Sequence, residues 1–194
     1  MTDSAMIIRH TRAWVDRAVI GLNLCPFAKA VQTKQQVRYV VTDASDTAAL
    51  QAALTAEMRW LAQADALAVD TTLLIHPHVL QDFADYNDFL DLADEALLQA
   101  DLDGVLQVAS FHPQYQFADT DAHDIANATN RSPYPTLHLL REDSLDRAVA
   151  AFPHPEAIFE ANIATLQALG PSGWTKLQQQ CLRDAQDILN GHPR

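Results

Sequence analysis

Between the apolar runs TTLLI (71–75) and VLQVASF (105–111) lies a segment far too long for a tight turn. From Val79 to Ala100 the residues Phe83, Tyr86, Leu90, Ala93 and Leu97 recur at three- and four-residue intervals. That is the period of a helix with one face on a core, and Asp103–Gly104 is a natural stop for it. A helix of this length rules out a hairpin between the flanking strands and forces a crossover. The alternation continues on both sides. VRYVV (37–41) is a β-branched run that reads as the first strand. Asp46 opens a helix with Leu50, Leu54, Met58 and Leu61 on one face. TLHLLRE (136–142), entered through Pro133 and Pro135, is the fourth strand. The pattern predicts a single α/β domain with a four-stranded mixed or mostly parallel sheet covered by helices. A ferredoxin-like α+β arrangement is the alternative.

Both ends are helical in pattern. From Met6 to Leu22, Ile7, Thr11, Trp14 and Ala18 form one stripe, and Ile8, Val15, Val19 and Leu22 its neighbour, with Asp3 or Ser4 as cap. After Gly21 and Asn23, Pro26 suits the first turn of a new short helix, which predicts Cys25 as its N-cap. A short helix is expected over Ala122–Ala128, and another over Ser144–Phe152. Pro155 opens a helix with Phe159, Ile163 and Leu166 inward. Gly170–Pro171–Ser172–Gly173 breaks it, and Trp174–Leu189 is the last, with Leu177, Cys181 and Ile188 inward. Residues 1–194 therefore read as one domain, with 153–194 a helical extension packed on it.

Charge bounds the partners. The chain has 25 acids against 13 bases, a formal charge of −12, and no local basic patch. Such a surface repels phosphate backbones and anionic lipid, so no nucleic acid and no membrane are expected. MTDSAMIIRHTRAW lacks the basic-then-apolar order of a secretory leader, and no apolar run approaches a membrane span. With two cysteines and no C-x-x-C, the expected compartment is a reducing cytoplasm. Oligomeric state is left open.

Two apolar runs stop on the same word. LLIHP ends on His76–Pro77 and VASFHP on His112–Pro113. In a parallel sheet both would lie at the carboxyl edge of the strands, where open α/β sheets bind ligands. Imidazole serves as general acid or base and as a zinc or iron ligand, so His76 and His112 are candidate metal ligands, and His112 a candidate base. The structural alternative is a strand-end ring bonded to backbone. His10, His123, His154 and His192 read as surface residues.

Cys25 at a helix start would gain thiolate character from the helix dipole, making it a candidate nucleophile or ligand. The richest donor cluster is NATNRSPYPTLHLLRE (127–142). Arg131 offers a planar fork for an anion, with Asn127, Asn130 and Ser132 as further donors and Tyr134 as a wall. The alternative has Arg131 paired and the asparagines capping turns. His138, in mid-strand, is either a hydrogen-bonded core residue or a third catalytic group facing a pocket.

The words NLCPFA (23–28), FHPQYQF (111–117) and NRSPYPTLHLLRE (130–142) occur in this order. Together they resemble a family of bacterial proteins catalogued as domain of unknown function 1415, over roughly Trp14 to Leu169. The resemblance implies that the three stretches act as one unit. It implies no activity. CPFA also resembles a monothiol form of the thioredoxin-like C-P-Y-C word, though Ala28 replaces the second cysteine and Cys25 precedes every expected strand. The functional expectation is an enzyme acting on a small anionic molecule through a Cys/His site. A metabolite- or metal-binding module and a thioredoxin-like monothiol protein are the alternatives. A partner-binding protein using its acidic helical surface is a third possibility.

Overall fold

The apolar runs pair as β1 (Val37–Val41), β2 (Thr71–Ile75), β3 (Leu106–Phe111) and β4 (Thr136–Arg141). The structure is a computed structural model that describes residues 3–152, 154–155 and 157–187. Strand order is β1-β2-β4-β3. β1 and β2 are parallel, and β4 runs antiparallel to both β2 and β3. β1, β2 and β3 therefore share one direction, with the last strand inserted between the second and third. The chain is a single α/β domain with a mixed sheet. Because β1 and β2 are parallel neighbours joined by a helical crossover, the arrangement is not the ferredoxin-like alternative.

The pleat sends alternate residues to opposite faces. On one face Leu74, Leu106, Leu137 and Leu139 pack against α3 (Thr47–Gln63) and α4 (Phe83–Gln99). The stripe Leu50, Leu54, Met58 and Leu61 is wholly buried there, as its helical spacing requires. On the other face Val37, Tyr39, Leu73 and Phe111 meet a second core built on Trp14, Val15, Ala18, Leu166 and Trp174. This layer holds α1 (Ser4–Trp14), which continues as a π-helical segment over Val15–Ile20, and α6 (Ala157–Asp187). The small helices α2 (Ala28–Thr33) and α5 (Glu142–Ala150) flank the same face.

Local chemistry sets the helix starts. Asp3, Asp46 and Asp82 each accept a backbone N–H at the head of α1, α3 and α4. The third cap shortens one expectation: Pro77–His78 form a turn, Val79–Gln81 follow without helical structure, Leu80 at φ 55°, and α4 begins only at Phe83. Cys25 is not an N-cap. Pro26 and Phe27 make a turn closed by Ala28 N–H to Cys25 O (3.2 Å), and α2 starts at Ala28, after the proline rather than on it. The short helix expected at 122–128 is a 3₁₀ helix over Ile125–Asn130. Gly170, at φ 66°, and Pro171 break α6 where the sequence places the break. Phe159 is exposed rather than inward, its ring set edge-on to Phe117. α6 is tied to the N-terminal helices by the Arg17–Asp184 ion pair, by Cys181 Sγ to Ala13 O (3.6 Å), and by Asn162 Nδ2 to Leu24 O (2.9 Å). Ile188, Leu189 and His192 lie outside the described residues, as does Pro153.

Candidate functional site

Since β2 and β3 run the same way, His76 and His112 leave the sheet at one edge. Both are fully buried. Between them stands Tyr86 of α4, with ring centroids 5.7 Å from His76 and 5.0 Å from His112. The tyrosine hydroxyl donates to Thr136 O (2.9 Å) and accepts Phe111 N–H (3.1 Å), which clips the ends of β3 and β4 to α4. The histidines hold the segment just after the Pro77–His78 turn. His76 Nδ1 donates to Val79 O (3.1 Å), leaving Nε2 as a bare acceptor that is buried without a partner. His112 takes the opposite tautomer: Gln114 N–H donates to its Nδ1 (3.0 Å), and Nε2 donates to Leu80 O (3.2 Å). Burial lowers the pKa of both rings, His76 to about 4. The pair thus keeps only one ring nitrogen free. That does not fit a zinc or iron ion seeking three or four ligands, and no group of three or more His, Cys, Asp or Glu among the described residues could hold one.

The donor cluster at 127–134 is turned inward. Asn127, wholly buried, accepts from Phe117 N–H and Thr120 Oγ1 (both 2.9 Å) and donates to Asp121 O (2.9 Å). Arg131 donates to Tyr115 O (3.1 Å) and Ala122 O (2.7 Å). Asn130 Nδ2 reaches Ser110 O (3.3 Å), and Ser132 Oγ donates to Tyr134 O (2.6 Å). These side chains stitch the 112–131 loop to itself and to β3. Tyr134 OH pairs with His10 Nδ1 (3.2 Å), so His10 is half-buried rather than a surface residue, and burial lowers its pKa. His123 and His154 are exposed.

Cys25 and His138 come together on the opposite face of the sheet from His76 and His112. Both line a cavity of about 550 Å³ between the sheet, the 25–31 segment and α5. Its floor is Leu73, Ala109, Phe111 and Leu140. Trp14, Val19 and Phe27 wall one side, and Leu145, Ala148 and Phe152 the other. Phe27 and Phe152 meet edge-to-face at 5.7 Å. The polar lining is sparse. Arg141 borders the cavity, but its guanidinium turns to the α3 side and donates to Leu61 O, Ala64 O and Val69 O. Asp70 accepts from Ser144 Oγ (2.6 Å). A second cavity of about 300 Å³ shares Pro26 and Phe152 with the first.

His138 has a fixed tautomer. Thr71 has one hydroxyl proton and gives it to Leu139 O (2.6 Å). The contact between Thr71 Oγ1 and His138 Nε2 (2.6 Å) must then be donated by the ring. Nδ1 carries the lone pair, and no hydrogen bond reaches it among the described residues. Burial lowers the pKa of this ring to about 4. Burial also raises the Cys25 thiol, outweighing the N–H groups of Phe27 and Ala28 that pull it down. The helix-start argument for a thiolate is therefore reversed: the N–H groups act, but desolvation is the larger effect.

Of the residues singled out from sequence, the structure brings Cys25 and His138 to one cavity and His76 and His112 to one edge. It gathers Asn127, Asn130, Arg131, Ser132 and Tyr134 into a loop apart from the cavity lining. Trp14, Thr71 and the stripe Leu145–Ala148–Phe152, which runs along α5 and just past its end, were not singled out. The stripe is visible as a helical repeat, but nothing local says that its apolar face covers a space. No helix among the described residues is long and apolar enough to cross a membrane.

No curated protein and no solved structure matches this chain. One family description, "Protein of unknown function (DUF1415)", matches residues 6–176. That match takes in all three sequence words, the cavity and the histidine edge, and the chain belongs to the DUF1415 family.

Proposed function

We propose that this protein binds a small, mostly apolar organic molecule in the cavity beneath α5. The observation that carries the reading is the chamber itself: about 550 Å³, walled by aliphatic and aromatic side chains with few polar groups. This is the size and character of a small-molecule site. A guest would cover apolar surface that α5 leaves unfilled, at roughly 25 cal/mol per Å² removed from water. A neutral guest is favoured over the anion anticipated from sequence. The arginine in the lining spends its donors on carbonyls, Asp70 adds a negative group, and the Arg131 loop lies elsewhere. Burying a charge against such walls costs several kcal/mol, on the order of the penalty for an unpaired ion.

Titration with N-phenyl-1-naphthylamine, a neutral apolar fluorophore, tests the reading. Wild type should show saturable, single-site enhancement. Ala148→Trp, which fills the cavity from α5, should weaken binding at least about tenfold while leaving far-UV circular dichroism unchanged. Absence of saturable binding to wild type would end the proposal.

A catalytic use of the same chamber is supported by Cys25 and His138 both lining it. Its check is iodoacetamide alkylation at pH 6 in a Cys181→Ala background. Reaction faster than free cysteine favours a nucleophile. Slower reaction, the outcome expected of a thiol whose pKa is raised by burial, leaves binding alone.

A further inference from the structure

Resting on the cavity reading, we propose that the guest is a neutral ring compound carrying a hydroxyl, which it donates to Nδ1 of His138. Three observations converge. The tautomer is set by the Thr71 relay, so Nδ1 is an acceptor with no proton of its own. His138 lines the chamber, and Nδ1 is not among the sealed, unpartnered polar atoms of the described residues. The walls are aromatic at two levels. Trp14 and Phe111 meet edge-to-face at 5.3 Å beside His138, whose ring lies 5.8 Å from Phe111. Phe27 and Phe152 meet where the 25–31 segment approaches α5. A flat ring fits such walls, since aromatic contacts add to simple burial.

The acceptor then decides which ring compound. A hydroxyl satisfied by a buried acceptor loses little on leaving water, whereas a guest lacking the donor leaves Nδ1 desolvated and unpaired. A carboxylate or phenolate would place a second lone pair against the first. The low basicity of the buried ring keeps it from becoming a cation that could welcome an anion above about pH 5.

The test compares 2-naphthol with 2-methoxynaphthalene, alike in shape and differing in the donor. Wild type should bind the naphthol about tenfold tighter by competition with the fluorophore, and His138→Leu should erase that preference while keeping affinity for the ether. Should His138→Leu not fold, wild type still decides. The ¹⁵N signal of His138 Nδ1 should move on adding naphthol and stay fixed with the ether. Equal binding of the two compounds, or a still Nδ1 signal, overturns the donor rule and leaves the cavity reading standing. Failure of wild type to bind either compound or the fluorophore overturns both.

Discussion

At the residue scale the buried imidazoles govern the response to acid. His76 and His138 titrate near pH 4 in the fold and near 6.5 when unfolded. Between those values the unfolded chain holds protons that the native one refuses. Stability is therefore complete above about pH 6.5 and drains away as pH falls toward 4. Each ring contributes on the order of 1–3 kcal/mol across that window, with His138 at the lower end because water can enter its cavity. Urea unfolding at pH 7 and pH 4.5 should show this loss, and His76→Gln should flatten the slope. A slope unchanged in the variant would put the acid sensitivity elsewhere. Tyr86 is the other pivot. Tyr86→Phe removes the hydroxyl and strands the partly buried N–H of Phe111 and the buried carbonyl of Thr136. The expected loss is about 1–3 kcal/mol by denaturant titration. The sequence showed Tyr86 only as one position in an apolar stripe. Its place between two histidines depends on which strand ends α4 reaches.

At the scale of elements, α5 stands apart. Its residues are half-buried or exposed, none fully buried, and Leu145 and Ala148 face open space. Helix stability comes mostly from packing of the apolar face, so α5 leans on the Ser144–Asp70 hydrogen bond and on its ends, while Arg147–Ser144 is a bond within the helix itself. Its backbone amides should exchange with deuterium faster than those of α3 and slow when a naphthol-class guest fills the chamber. Unchanged exchange at α5 on saturation would mean that the guest sits elsewhere. The element pattern was legible where periodicity is strong: the α3 stripe, and β2 as an unbroken apolar run. It misled at 79–82, where Asp82 caps α4 later than the apolar residues suggest, and at Cys25, where the proline starts a turn rather than the helix.

At the scale of the molecule, the His-Pro repeat announced a shared edge, and the parallel course of β2 and β3 provides it. What local pattern could not convey is that His138, two strand positions past Thr136, points to the other side of the sheet from His76 and His112. Alternation gives the parity, but only tertiary packing says which helices cover which side. The same holds for the Arg131 loop. Its donor-rich composition suits a ligand or a turn equally, and the carbonyls of Tyr115 and Ala122 come within reach only once the loop has closed.

The strand order also dictates when the molecule can be completed during synthesis. β4 lies between β2 and β3, so a nascent chain that has emerged only as far as residue 130 holds the sheet in two halves, β1-β2 and β3, with unpaired edges facing a vacant slot. No hairpin can close that slot early, because both neighbours of β4 precede it on the ribosome and must wait for it. Chains arrested at residue 130 should remain protease-sensitive throughout, whereas release past the end of α6 should confer protection on the whole domain at once. During that interval the open edges offer themselves to any chaperone, or to a neighbouring nascent chain with a strand to lend.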